Sequence, residues 1–300
     1  MSDSKGSASS AFTLTFRSEM DRLSTGGAAY ATVVRVSGQS GRAVMSINRW
    51  NPDLPKPIGL FGDKLNREAL EPLSASIEAT KWAELPPAKG GDVSGAQLTI
   101  EYARGGQVIR RVFNSYNLEL VRALAPVMSA IDGVLDHVAH HPLRVLELGV
   151  KRTPTGFRVS WRNIGKGPIV IADPRLPAVA PRTGTRGRVS VGAVPPSRPG
   201  WDLPIPEPSW LDLEPANGAP SPVTLAPGQT LELDTVPWKP AGPGDYVADA
   251  SWVDYVGPTF DPHAVMDAIP DPSQMDDARP YVLRGGGFST GINVKVDLGR

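Results

Sequence analysis

The chain has 300 residues, with 31 basic and 31 acidic side chains and a formal net charge of zero; that balance gives no bulk attraction to nucleic acid or to an anionic membrane. It contains no cysteine, which excludes disulfides, thiolate catalysis, iron–sulfur clusters and cysteine-based zinc sites. Glycine and proline number 31 each, a content that suits strands joined by turns.

Residues 1–10 are polar, lack the apolar stretch of a secretory signal, and are expected to be a disordered tail. No run of about 18 apolar residues occurs, so no membrane-spanning helix is expected and the expected compartment is the cytoplasm. Ala11–Phe16 alternates apolar and polar residues, as a half-buried strand does. A turn at Gly26-Gly27 leads to a β-branched strand over 29–36, which a hairpin at 37–41 joins to a strand over 42–48. Pro52, Pro55 and Pro57 predict a loop. Asp63 reads as the N-cap of a helix reaching about Thr80, with Leu65, Leu70, Leu73 and Ile77 on its apolar face and Pro72 as a point where it splits. A second hairpin follows, 97–102 and 107–113 around Arg104-Gly-Gly106. Helical spacing from Leu118 to His140 marks the clearest helix, with a kink or break expected at Pro126 or Gly133. Residues 11–142 are therefore expected to form an α+β domain of antiparallel hairpins with two helices on one face.

Beyond Pro142 the pattern changes to short strands between Gly/Pro turns. Strands are expected near 144–151, 156–162, 168–172, 189–191, 223–225, 230–236, 244–255 and 289–298, a density that favours a β-sandwich over 143–300. Two Pro-rich insertions, about 173–222 and 257–287, are expected to interrupt it.

Three segments carry a family likeness: Val159-Ser-Trp-Arg-Asn-Ile-Gly165, Leu225-Ala-Pro-Gly-Gln-Thr-Leu-Glu-Leu233 and Pro243-Gly-Asp-Tyr-Val-Ala-Asp-Ala-Ser-Trp252. In kind and order they resemble the turn-and-strand signals of bacterial immunoglobulin-like domains. The resemblance covers about 144–298 and implies an immunoglobulin-like β-sandwich, without the disulfide of antibody-type domains. It implies no activity, because this fold hosts many.

The candidate chemical motifs are incomplete. Gly287-Phe-Ser-Thr-Gly291 matches G-x-S-x-G, but a nucleophile elbow needs a strand before the serine, a helix after it and a downstream histidine. A strand follows Ser289 and the last histidine, His263, lies upstream, so a Gly-rich turn is the expected reading. His137 and His141 stand at i and i+4 and are candidate metal ligands. The sequence offers them no evident distant third ligand, and histidines also suit a helix C-terminus, so a capping cluster is expected. His263 lies in an aspartate-rich loop that lacks EF-hand spacing. Of the tryptophans that could form a sugar platform, Trp161 and Trp252 are expected in the core.

Charge is segregated along the chain. From Pro174 to Trp201 there are five arginines (Arg175, Arg182, Arg186, Arg188, Arg198) and no acid. From Pro240 to Ala278 there are eight aspartates and no Lys or Arg, six of them being Asp254, Asp261, Asp267, Asp271, Asp276 and Asp277. These segments either neutralise one another or form charged docking loops, which set association rate and partner choice. The expected function is that of a non-catalytic protein–protein binding module, such as an inhibitor, adaptor or toxin-neutralising immunity protein. A structural or assembly subunit, and a hydrolase or metal-dependent enzyme, are the alternatives. The expected partner is another protein, with no membrane, no nucleic acid and no cofactor; the sequence does not fix the oligomeric state.

Overall fold

β-Branched and alternating runs extend because their side chains pack on a pleated surface, and this chain follows that preference through most of its length. The computed structural model describes residues 12–20, 30–47, 57–86, 96–115, 117–178, 184–194, 207–216, 221–253, 270–272, 280–283 and 287–297. The protein is mostly β, with sixteen strands and three α-helices among the described residues and several antiparallel sheets. The chain divides into two units: Met1–Arg49 with Leu60–Leu143 and Pro262–Asp277, and Trp50–Gly59 with Arg144–Asp261 and Ala278–Arg300.

The first unit holds strands β1 (Phe12–Met20), β2 (Tyr30–Ser37), β3 (Arg42–Ile47), β4 (Ile58–Lys64), β5 (Ala96–Arg104) and β6 (Gln107–Asn114), ordered β4-β3-β2-β1-β5-β6. Antiparallel register sets Phe16 opposite both Val34 and Ile100, and Val34 opposite Met45. All four side chains are buried. The β5–β6 hairpin turns at Gly105 and Gly106, whose φ values of 57° and 82° suit glycine. Helices α1 (Arg67–Ala79), α2 (Leu118–Ala123) and α3 (Ala125–Ala139) complete the unit. Helix α3 buries Val127, Ile131, Val134 and Val138, one helical stripe, and contacts both α1 and β3. Trp82 stacks on Tyr102 at 5.9 Å, while its indole N–H donates to the Ile77 carbonyl at the end of α1.

Four local expectations are corrected here. The segment after the prolines is a strand, β4, rather than a continuing loop. Asp63 lies on that strand, and the cap of α1 is Asn66, whose side chain accepts from the Ala69 N–H at 2.9 Å. Pro72 lies inside α1 without splitting it. The break between α2 and α3 falls at Leu124, which places Pro126 in the first turn of α3, where a missing N–H costs nothing; Gly133 leaves the helix intact. The expected 1–10 tail and the Gly26-Gly27 turn lie outside the described residues.

The second unit holds β7 (Pro142–Arg152), β8 (Phe157–Asn163), β9 (Ile169–Ile171), β10 (Gly187–Ala193), β11 (Ser209–Asp212), β12 (Val223–Leu225), β13 (Thr230–Asp234), β14 (Gly244–Val253), β15 (Tyr281–Val282) and β16 (Gly287–Val296). They order as β13-β8-β7, as β11-β10-β14-β16, and as a small β12-β9-β15 sheet. The stretch expected as the first insertion therefore contains β10 and β11, and the second contains β15. Phe157 of β8 meets Trp238 at 5.5 Å, and Trp238 meets Tyr246 of β14 edge-on at 5.1 Å, so aromatic contacts tie the two larger sheets together. Trp161 and Trp252 are fully buried.

One polar side chain organises this core. Asn163 is fully buried at the end of β8. Its amide donates to the carbonyls of Gly167 and Leu225, each at 2.9 Å, and its carbonyl accepts the Gly165 N–H at 2.9 Å. The turn after β8 is thereby fastened to β12, with the buried polar atoms paired.

Candidate functional site

The arginines of the basic segment have separate fates. Arg175 grips the buried Asp173 with two side-chain bonds, at 2.9 and 2.7 Å, and a backbone N–H bond at 2.9 Å. Burial pushes the Asp173 carboxyl up, but the side-chain bond from Arg175, its backbone N–H and its charge together outweigh burial and hold it below the usual range. Arg175 thus serves the interior of its loop. Arg186 is half-buried and donates to the Pro177 carbonyl at 3.4 Å. Arg182 and Arg198 lie outside the described residues, as do Asp254, Asp261, Asp267, Asp276, Asp277 and His263; of the six aspartates named, only Asp271 is described.

Arg188 is placed differently. Strand β10 buries Val189 and Val191 and turns Arg188 and Ser190 to its other face. In the register with β11, Ser190 faces Trp210 and Arg188 faces Asp212. The Arg188 guanidinium sits 3.8 Å from the centroid of the Trp210 ring, a cation–π geometry. Burial lowers the Arg188 pKa, and the nearby Asp212 charge opposes that shift. Trp210 remains 52% exposed on β11, the edge strand of its sheet. On the other side of β10, Ser190 pairs with Asp249 of β14. The strands of the basic and acidic segments are therefore hydrogen-bonded neighbours, a placement that sequence distance concealed.

A second cluster lies in the first unit. The Gly62 N–H of β4 donates to the His141 carbonyl at 2.9 Å, just past the end of α3. This bond sets the next residue, Asp63, beside the histidines of the helix end. Asp63 Oδ2 lies 3.2 Å from His141 Nε2 and 4.0 Å from His137 Nε2. The two imidazole rings are 5.1 Å apart. His141 Nδ1 contacts the His137 carbonyl at 2.9 Å; a carbonyl only accepts, so Nδ1 carries the hydrogen. His137 Nε2 is buried with no hydrogen-bond partner, an arrangement that costs about 1–3 kcal/mol when nothing satisfies the atom. His140 points its Nδ1 at the Asp136 carbonyl, 2.8 Å away, and is not part of the trio. Sequence reading paired His137 with His141 but missed Asp63, because it placed that residue at a helix start.

The G-x-S-x-G motif runs inside β16, with Ser289 opposite Ser251 of β14. No strand-to-helix turn exists there, so the elbow geometry is lacking. Among the described residues, no helix is long and apolar enough to cross a membrane. No protein-family model matches this chain, and no curated protein does.

Proposed function

We propose that this protein is a non-catalytic, cytoplasmic protein–protein binding module of the inhibitor, adaptor or immunity-protein kind. In this reading the first unit is an α+β layer and the second an immunoglobulin-like sandwich. The pairing of strands supports the second assignment. If β7, β8, β10, β11, β13, β14 and β16 are strands A, B, C, C′, E, F and G, then the orders E-B-A and C′-C-F-G follow that family's pattern. Tyr246 at the start of β14 donates to the Gly242 carbonyl four residues upstream, at 2.9 Å, as the tyrosine corner of such domains does.

The observation that carries the binding reading is the exposed Trp210 stacked on Arg188 at a sheet edge. Trp and Arg dominate the energetics of protein interfaces because they bring large area and a charged, planar donor at low ordering cost. The partner is a protein that buries Trp210 and offers an acceptor to Arg188. Affinity capture from the native host, with wild type and Trp210→Ala side by side, tests this. A stoichiometric foreign protein retained by wild type, and at least about 30-fold weaker binding by the variant, is the expected result. Recovery of this chain alone would instead favour an assembly subunit.

A further inference from the structure

We infer that Asp63, His137 and His141 form a binding site for a divalent transition-metal cation of the zinc class. Three features of the trio lead there.

The donor atoms are of the right kind and spacing. Two imidazole nitrogens and one carboxylate oxygen lie within 4.8 Å of one another. An ion held at about 2.0–2.1 Å by such donors sets them roughly 3.3 Å apart in a tetrahedron. The Asp63–His141 edge, at 3.2 Å, already has that length, and the edge to His137 is longer, at 4.0 Å.

The hydrogen bonding of His141 orients its ring toward Asp63. His141 commits Nδ1–H to the His137 carbonyl, which leaves Nε2 as the ring nitrogen facing Asp63. A metal ion can bridge the Asp63 carboxylate to both imidazoles at once, whereas a proton on His141 Nε2 links that ring to Asp63 alone. The carbonyl behind His141 is also the kind of partner that fixes a metal-binding imidazole in its tautomer.

The third feature is the orphaned His137 Nε2, buried and unpartnered on the same side as Asp63. Coordination gives it a partner without opening the core. The side chains are 21%, 33% and 40% exposed for His137, His141 and Asp63, so an ion can enter and keep a solvent-facing position. Imidazole and carboxylate donors favour zinc and its neighbours over magnesium or calcium, which prefer all-oxygen shells.

The test uses the full chain after chelator treatment, titrated with zinc chloride by calorimetry and with cobalt(II) chloride by visible absorption. Wild type is expected to bind one equivalent, with the intense cobalt bands of a site holding fewer than six ligands. Asp63→Ala and His141→Ala should each weaken binding by about 100-fold or more, while His140→Ala keeps wild-type affinity. If Asp63→Ala loses its near-UV circular dichroism, the shape-preserving Asp63→Asn replaces it with the same expectation. No stoichiometric uptake by wild type, unchanged affinity in the Asp63 and His141 variants, or an equal loss in His140→Ala overturns the inference. Partner capture through Trp210 is a separate readout, so either proposal can fail while the other stands.

Discussion

Replacing Asn163 with alanine removes three buried hydrogen bonds at once. The carbonyls of Gly167 and Leu225 and the N–H of Gly165 are left without their partner, in a region closed to water. At roughly 1 kcal/mol for each lost bond, with unsatisfied partners adding to it, the cost is about 3 kcal/mol or more. Asn163→Asp is the sharper variant. It keeps the shape and the bond from Gly165, but turns an oxygen toward two carbonyl oxygens. The new carboxyl is stabilised in its protonated form, so its pKa in the folded chain is raised. Its ionic penalty is absent below the unfolded value of about 3.9 and grows by about 1.4 kcal/mol per pH unit until the folded pKa is reached. Urea denaturation followed by tryptophan fluorescence at acidic and neutral pH measures both effects. Asn163→Asp should lose markedly more stability at neutral pH than in acid, whereas the Asn163→Ala deficit should stay constant. An alanine variant within about 0.5 kcal/mol of wild type, or an aspartate variant insensitive to pH, would refute the role assigned to this side chain.

Arg175→Leu leaves the buried Asp173 carboxylate without its cation and should destabilise the second unit by about 3 kcal/mol at neutral pH. The native carboxyl has a lowered pKa, so the stability it contributes is present above the unfolded value and is lost as pH falls through the folded one. The gap between wild type and variant should therefore close in acid, and a gap independent of pH in denaturant titrations would contradict this account. Gly62→Ala would put a Cβ 2.7 Å from the Ala43 carbonyl oxygen and 2.9 Å from Leu143 Cδ1. A loss of about 1–3 kcal/mol is expected in thermal melts, together with weaker zinc binding as Asp63 shifts; an unchanged melting temperature would show that β4 can move aside freely.

Strands whose one face is solvated were legible, because alternation survives in the sequence: β1 and the β5–β6 hairpin lie where the pattern puts them. Strand β4 was not. Its residues from Ile58 to Phe61 are all buried and so do not alternate, and they sit among prolines and glycines that signal turns. The glycine at 62 serves close packing against β3 and not a turn. The short β11 and β15 were hidden in Pro-rich stretches for a similar reason, since two to four residues carry too little pattern to outweigh their neighbours. Asn163 illustrates the opposite case. Its Asn-x-Gly spacing read as a turn signal, and the turn is there, but the same side chain also reaches Leu225, a pairing that only the fold brings together.

The two candidate sites share one cause for their partial legibility. In each, the helix or strand periodicity marks one contributor, and a separate strand supplies the other. His137 and His141 are visible as an i, i+4 pair, while Asp63 arrives on β4 because the Gly62 N–H is bonded to the His141 carbonyl. Arg188 is visible as part of a basic segment, while Trp210 arrives on β11 through an antiparallel register. Charge counting treated the five arginines as equivalent. The fold separates them by what lies beside them: Arg175 pairs with the buried Asp173 of its own loop, and Arg188 stacks on the exposed Trp210 indole of the neighbouring strand. Function on this scaffold is therefore better sought in cross-strand neighbours than in the composition of the segments that carry them.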